Sequence, residues 1–84
     1  MPKITEINYG ITIHIYNGDY LPAHFHALCN GLQLRYDMEN NIIIDNELGI
    51  KETKAVIDFW KELALETKNG FINFFYLQNP NLRK

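Results

Sequence analysis

One stretch of the chain reads His24-Phe25-His26-Ala27-Leu28-Cys29-Asn30-Gly31-Leu32-Gln33-Leu34-Arg35-Tyr36-Asp37. Its Asn30-Gly31 dipeptide predicts a two-residue β-hairpin turn, because both central positions of a type I′ turn need a positive φ. The turn length fixes the register, and the expected cross-strand pairs are Cys29 with Leu32, Ala27 with Leu34, Phe25 with Tyr36, His26 with Arg35, and His24 with Asp37. One face of this hairpin is apolar and the other polar, so we expect the first face to meet the core.

The segments on either side extend the hairpin into a sheet. Upstream, isoleucines alternate with polar residues over 11–16, the pattern of a half-buried strand. Downstream, the short apolar run at 42–44 predicts a further strand. From about residue 51 the period becomes helical, and the stripe Val56, Trp60, Leu63, Ala64 and Thr67 marks the buried side.

The end of the helical region is harder to place. Asn69-Gly70 is expected to end or bend the helix, and 71–77 is expected to form a second short helix or a bent continuation. The sequence therefore predicts an α+β protein: a four-stranded antiparallel β-meander with one long or two short C-terminal helices packed on one face. All of residues 1–84 form a single domain, with strands at about 4–45 and the helical part at about 51–79.

Composition narrows the classes of function. Of the 84 residues, 46% are hydrophobic and 21% are charged, which is typical of a globular domain. The net charge of −2 argues against bulk electrostatic binding of nucleic acid. No apolar run is long enough to span a bilayer and the first residues do not resemble a signal peptide, so a cytoplasmic protein is expected. The single cysteine, Cys29, excludes an intrachain disulfide and is expected to lie in the core.

A candidate site follows from the spacing of the histidines. His24 and His26 are two residues apart, so in a strand both imidazoles lie on the same face. If Ile13 and Phe25 both point to the core, His14 shares that polar face. The alternation of side chains along the strands places four more residues on the same face: Tyr16, Gln33, Arg35 and Asp37.

Several uses of this surface are open. His24 and His26 could bind zinc or another divalent metal ion, with Asp19, Asp37 or His14 as a third ligand. Alternatively, one histidine could act as base and the other as acid on a phosphodiester, with Arg35 stabilising the anion. The same surface could instead recognise an anion or a partner, or it could be an ordinary solvated sheet face.

A second surface is suggested by the aromatic run near the end of the chain. A four-stranded sheet is too small to cover every aromatic side chain of this segment. The surplus predicts a homodimer or partner surface formed by Phe71, Phe74, Phe75 and Tyr76.

In order and spacing, the chain resembles a small bacterial family known as domain-of-unknown-function family 4160. The matching residues are Tyr9-Gly10, the strand 11–16, Asp19, Pro22, His24-Phe25-His26 and Trp60. Ala23 stands where the family usually has a second proline.

The resemblance implies a fold and a protein partner rather than an activity. Members of the family are often encoded beside another small protein, in an arrangement similar to a toxin–antitoxin pair. The leading hypothesis is therefore a cytoplasmic component of such a two-gene module, acting through a small protein encoded by a neighbouring gene. The His24/His26 sheet face would be its functional surface, and the alternatives are the phosphodiester hydrolase and a metal-binding module without chemistry of its own.

Overall fold

Five antiparallel strands form one open sheet in the computed structural model, which describes residues 3–82. The strands follow one another in space in chain order: β1 (Lys3–Ile7), β2 (Ile11–His14), β3 (His24–Cys29), β4 (Leu32–Asp37) and β5 (Ile42–Asn46). Two helices follow the sheet, α1 (Ile50–Glu62) and α2 (Leu65–Gln78). The α+β class and the meander are therefore confirmed, with one strand more than the four predicted.

The central hairpin of β3 and β4 has the register that the Asn30-Gly31 turn predicts. All five expected cross-strand pairs are present. Asn30 has a φ of 53° and Gly31 a φ of 80°, so both turn residues occupy the left-handed region that a type I′ turn requires. Because this register is fixed, the two faces of the sheet are fixed with it.

The additional strand is β1, which pairs with β2 at one edge of the sheet. A register shift between Lys3 and Thr5 interrupts the pairing. Ile4 and Ile7 both pack against the core, although strict alternation would put them on opposite faces. The bulge removes the period-2 signal, and for that reason the sequence pattern does not reveal this strand.

The core lies between one face of the sheet and the helices. Ile13, Phe25, Leu34 and Trp60 are at most 1% exposed, as the alternation and the helical stripe predict. Leu32 was expected among them from its pairing but is 46% exposed, since it lies beside the turn at the end of the sheet. Burial of each large side chain is worth about 1.5–3 kcal/mol.

The break between the helices lies earlier than the sequence predicts. Leu63 and Ala64 have extended backbone angles and separate α1 from α2, whereas Gly70 lies inside α2. Glycine within a helix costs about 1 kcal/mol relative to alanine. Burying Phe75, which is 0% exposed, more than offsets that cost, so α2 continues through Gly70.

Among the described residues, neither helix is long and apolar enough to cross a membrane.

Candidate functional site

The loop between β2 and β3 brings a carboxylate to the histidine pair. Gly18, with a φ of 69°, reverses the chain ahead of Asp19. The Oδ2 atom of Asp19 lies 3.0 Å from Nε2 of His24 and 3.0 Å from Nε2 of His26. Three of the five predicted metal ligands therefore meet at one point.

This group is withdrawn from water. His24 is 0% exposed and His26 is 8% exposed, and the Asp19 side chain is 11% exposed. Aromatic rings surround the two imidazoles: Tyr16 lies 4.4 Å from His26, and Tyr20 and Phe75 lie 5.6 and 5.5 Å from His24, between ring centroids. Electrostatic interactions are strengthened in such surroundings because water screens them less.

The hydrogen bonds of the outer ring nitrogens define the tautomer of each histidine. Nδ1 of His24 lies 2.7 Å from the carbonyl oxygen of Pro22, and Nδ1 of His26 lies 3.1 Å from Oε1 of Gln33. A carbonyl oxygen can only accept, so each Nδ1 carries the hydrogen. Nε2 of His26 makes a hydrogen bond with Oδ2 of Asp19 at 3.0 Å, and Nε2 of His24 faces the same oxygen.

Asp19 is oriented in a complementary way. Its Oδ1 accepts a hydrogen bond from the backbone N–H of Tyr20 at 3.1 Å, and its Oδ2 faces the imidazoles. Although Nε2 of His24 is 3.0 Å from that oxygen, the two atoms lack the alignment of a hydrogen bond, and this buried nitrogen has no hydrogen-bond partner among the described residues. A buried polar atom of this kind is costly unless something else satisfies it.

The arrangement has the dimensions of a metal site. The three donor atoms lie within 4.8 Å of one another. Zinc binds nitrogen and oxygen at about 2.0–2.1 Å, so tetrahedral ligands lie about 3.3 Å apart. The two measured separations of 3.0 Å are close to that value.

His14 and Asp37, the other two predicted ligands, lie outside this group. His14 is paired across the sheet with His26, but its Nε2 lies 2.9 Å from Oγ1 of Thr12. Asp37 accepts hydrogen bonds at both carboxylate oxygens from residues of the following turn, including Asn40. Its carboxylate therefore caps the β4–β5 turn instead of joining the histidines.

Arg35, which the sequence predicts to stabilise an anion, forms an ion pair with Asp45 of β5. Its Nε donates to Oδ2 of Asp45 at 3.0 Å, its Nη2 contacts the same oxygen, and its guanidinium lies over the Tyr20 ring. The hydrogen bond from Arg35 holds the pKa of Asp45 below its usual value. Asp45 thus already compensates the positive charge of Arg35.

The four aromatic residues predicted to form a homodimer or partner surface all lie in or against the core. Phe75 is fully buried, and Phe71, Phe74 and Tyr76 are half-buried against the core. A five-stranded sheet, together with α1, covers more apolar area than the four strands expected.

Strand alternation predicts Gln33 on the polar face and assigns it no role. Gln33 is diagonal to His26 across the hairpin, two residues from its direct partner Arg35. Diagonal neighbours on one face lie within reach of long side chains. The predicted register therefore contains enough information to find this contact.

No known protein family matches the chain, and neither does any curated protein or solved structure. The resemblance to domain-of-unknown-function family 4160 accordingly stays a prediction, and the candidate site depends on its own geometry.

Proposed function

We propose that the protein binds a divalent transition-metal ion, with zinc as the first choice, through Oδ2 of Asp19 and the Nε2 atoms of His24 and His26. The observation that carries the proposal is the convergence of three potential ligand atoms in a nearly dry site, where the buried Nε2 of His24 has no hydrogen-bond partner among the described residues. The hydrogen bond between His26 and Asp19 satisfies one pair of these atoms and leaves Nε2 of His24 without a partner among the described residues. A metal ion would satisfy all three.

The groups behind the ligands support this proposal. Histidines that bind metals usually donate their second ring N–H to a carbonyl or carboxylate, which fixes the ring and its tautomer. His24 does so to Pro22 and His26 to Gln33. Two imidazoles and one carboxylate suit zinc, and the same set binds iron(II) in other proteins.

A role in holding the metal fits this site better than hydrolysis of a phosphodiester. His24 is fully buried, and a cleft of about 310 Å³ that reaches the three-residue group is lined by Asp19 and by neither histidine. The guanidinium of Arg35 is paired with Asp45. An anionic phosphodiester would therefore approach past the Asp19 carboxylate, which repels it, and Arg35 is already paired with Asp45.

Zinc titration of tag-free protein tests the proposal. A double variant, His24→Gln with His26→Gln, should lose zinc binding, and His14→Gln is the matched control on the same sheet face. At a free zinc concentration 100 times Kd, binding adds about 2.7 kcal/mol of stability. With an unfolding entropy of about 0.18 kcal/mol/K for a chain of this length, Tm should rise by about 15 °C.

Two results would contradict the metal site. One is a wild-type protein whose Tm and metal content do not respond to zinc. The other is an equal loss of zinc binding in His14→Gln, since the site would then extend over the sheet face rather than lie at the three-residue group.

The partner hypothesis, with the His24/His26 sheet face as functional surface and the aromatic residues at 71–76 as predicted contacts, is the second proposal. On α2, Leu65 and Leu77 are each 72% exposed, so either can be replaced without disturbing the core when a partner contact is tested. The proposal is a cytoplasmic two-gene module of the toxin–antitoxin kind, with the protein encoded by the neighbouring gene as partner. Co-expression with that protein followed by size exclusion tests it: co-elution that Leu77→Asp abolishes supports the proposal, and separate elution refutes it.

A further inference from the structure

We propose that Asn79, 60 residues from Asp19 in the chain, is a positioning residue for the metal site, holding the Asp19 carboxylate where an ion can reach it. This inference rests on the proposed function. It adds a residue that no motif in the sequence indicates and that touches none of the three donor atoms.

The side-chain amide of Asn79 makes three hydrogen bonds. Asn79 directly follows α2 and is only 5% exposed. Its Oδ1 accepts the backbone N–H of Asp19 at 2.6 Å, and its Nδ2 donates to the carbonyl oxygens of Tyr16 and Phe75, each at 2.9 Å. One buried amide thus joins both ends of the 16–19 turn to the end of α2.

These bonds determine where the carboxylate points. Gly18 has a φ of 69°, and glycine is the residue whose backbone is least restricted, so the loop needs another contact to hold Asp19 in place. The hydrogen bond that the Asp19 N–H donates to Oδ1 of Asn79 fixes the backbone nitrogen directly after that glycine. With the nitrogen fixed and Oδ1 bonded to the N–H of Tyr20, Oδ2 is the oxygen that remains for the histidines.

A helix-capping role alone is the competing explanation. The bond from Nδ2 to the carbonyl oxygen of Phe75 satisfies one of the last carbonyls of α2, as a C-terminal cap does. A residue that only caps the helix would lower the Tm when replaced and would leave zinc affinity unchanged. A residue that positions Asp19 would lower zinc affinity beyond what lost stability explains.

The experiment compares Asn79→Ala with Val56→Ala, using zinc ions alone as the probe. Val56 is fully buried in α1 and is absent from the hydrogen bonds of the site, so it controls for lost stability. Zinc affinity is measured by competition with a chromophoric chelator at a temperature where both variants are folded. Removing a residue that orients a metal ligand typically weakens binding about 10- to 100-fold.

We expect that loss in Asn79→Ala, with Val56→Ala within about twofold of wild type on the same scale. Equal zinc affinity in wild type and Asn79→Ala overturns the positioning role and leaves the metal site standing. Absence of zinc binding in the wild type overturns both.

If Asn79→Ala does not fold, hydrogen exchange of the wild-type protein tests whether Asn79 holds the backbone of Asp19. The Asp19 amide hydrogen should be protected with and without zinc, because its bond to Asn79 precedes binding of the ion. Exchange of that amide at the rate of an exposed loop amide overturns the inference.

Discussion

Replacing Phe75 by alanine tests how α2 is attached to the sheet. Phe75 is 0% exposed, and its ring contacts those of His24 and Tyr76. Truncating a fully buried phenylalanine costs about 3–5 kcal/mol, from lost burial and from the cavity that remains. Proteins of this size have a total stability of about 4–13 kcal/mol, so a large share is at stake.

The expected change in Tm follows from the length of the chain. An unfolding entropy of about 2.1 cal/mol/K per residue gives about 0.18 kcal/mol/K for 84 residues. Phe75→Ala should therefore lower the Tm by about 17–28 °C in a thermal melt followed by circular dichroism. The matched control is Leu77→Ala, two residues along the same helix and 72% exposed, which should change the Tm by no more than about 3 °C.

Similar losses in the two variants would refute the placement of Phe75. They would mean that α2 is not docked through this side chain. The aromatic run would then be free to form the partner surface that the sequence suggests.

Three further predictions concern the turn, an ion pair and the core. Gly31→Ala should lower the free energy of unfolding by about 1 kcal/mol because Gly31 has a φ of 80°. Gly70→Ala should raise it by up to about 1 kcal/mol because Gly70 lies within a helix with open space around it. Chemical denaturation measures both changes, and the same sign for the two would contradict the backbone assignments. Arg35 lowers the pKa of Asp45, so their ion pair stabilises the fold above the ordinary carboxyl pKa and loses that effect as the pH falls through the lowered pKa. The difference in Tm between wild type and Asp45→Asn should be small at neutral pH and vanish in strong acid. A difference that widened in acid would refute the pairing. Trp60 is 1% exposed, so its fluorescence should be blue-shifted and resist acrylamide, and quenching as strong as in the unfolded chain would show that it is not buried.

Much of the fold can be predicted because one turn fixes it. The Asn30-Gly31 turn sets the pairing of β3 with β4, and alternation then assigns each side chain of those strands to a face. The helix break at Leu63 could not be predicted in the same way. It depends on how α2 packs back against the core, and local propensity at Asn69-Gly70 points to a different place.

The candidate site, like the fold, can be predicted from the sequence only in part. His24 and His26 share a face by spacing alone, and that part was evident from the sequence. The choice of Asp19 over Asp37 and His14 depends on the path of the 15–23 loop, which no strand period describes. Asn79 is more distant still, because its contacts with the loop span 60 and 63 residues of the chain.

The sequential order of the strands has a consequence for the timing of folding. Each strand pairs only with its neighbours in the chain, so the sheet closes short loops, and such topologies tend to fold quickly. Asp19 is only seven residues from His26 in the chain, so the contacts of its carboxylate with the histidines close a short loop. The hydrogen bond between Asp19 and Asn79 spans 60 residues, so securing the loop that carries the carboxylate has a larger cost in chain entropy than bringing the carboxylate and the histidines together.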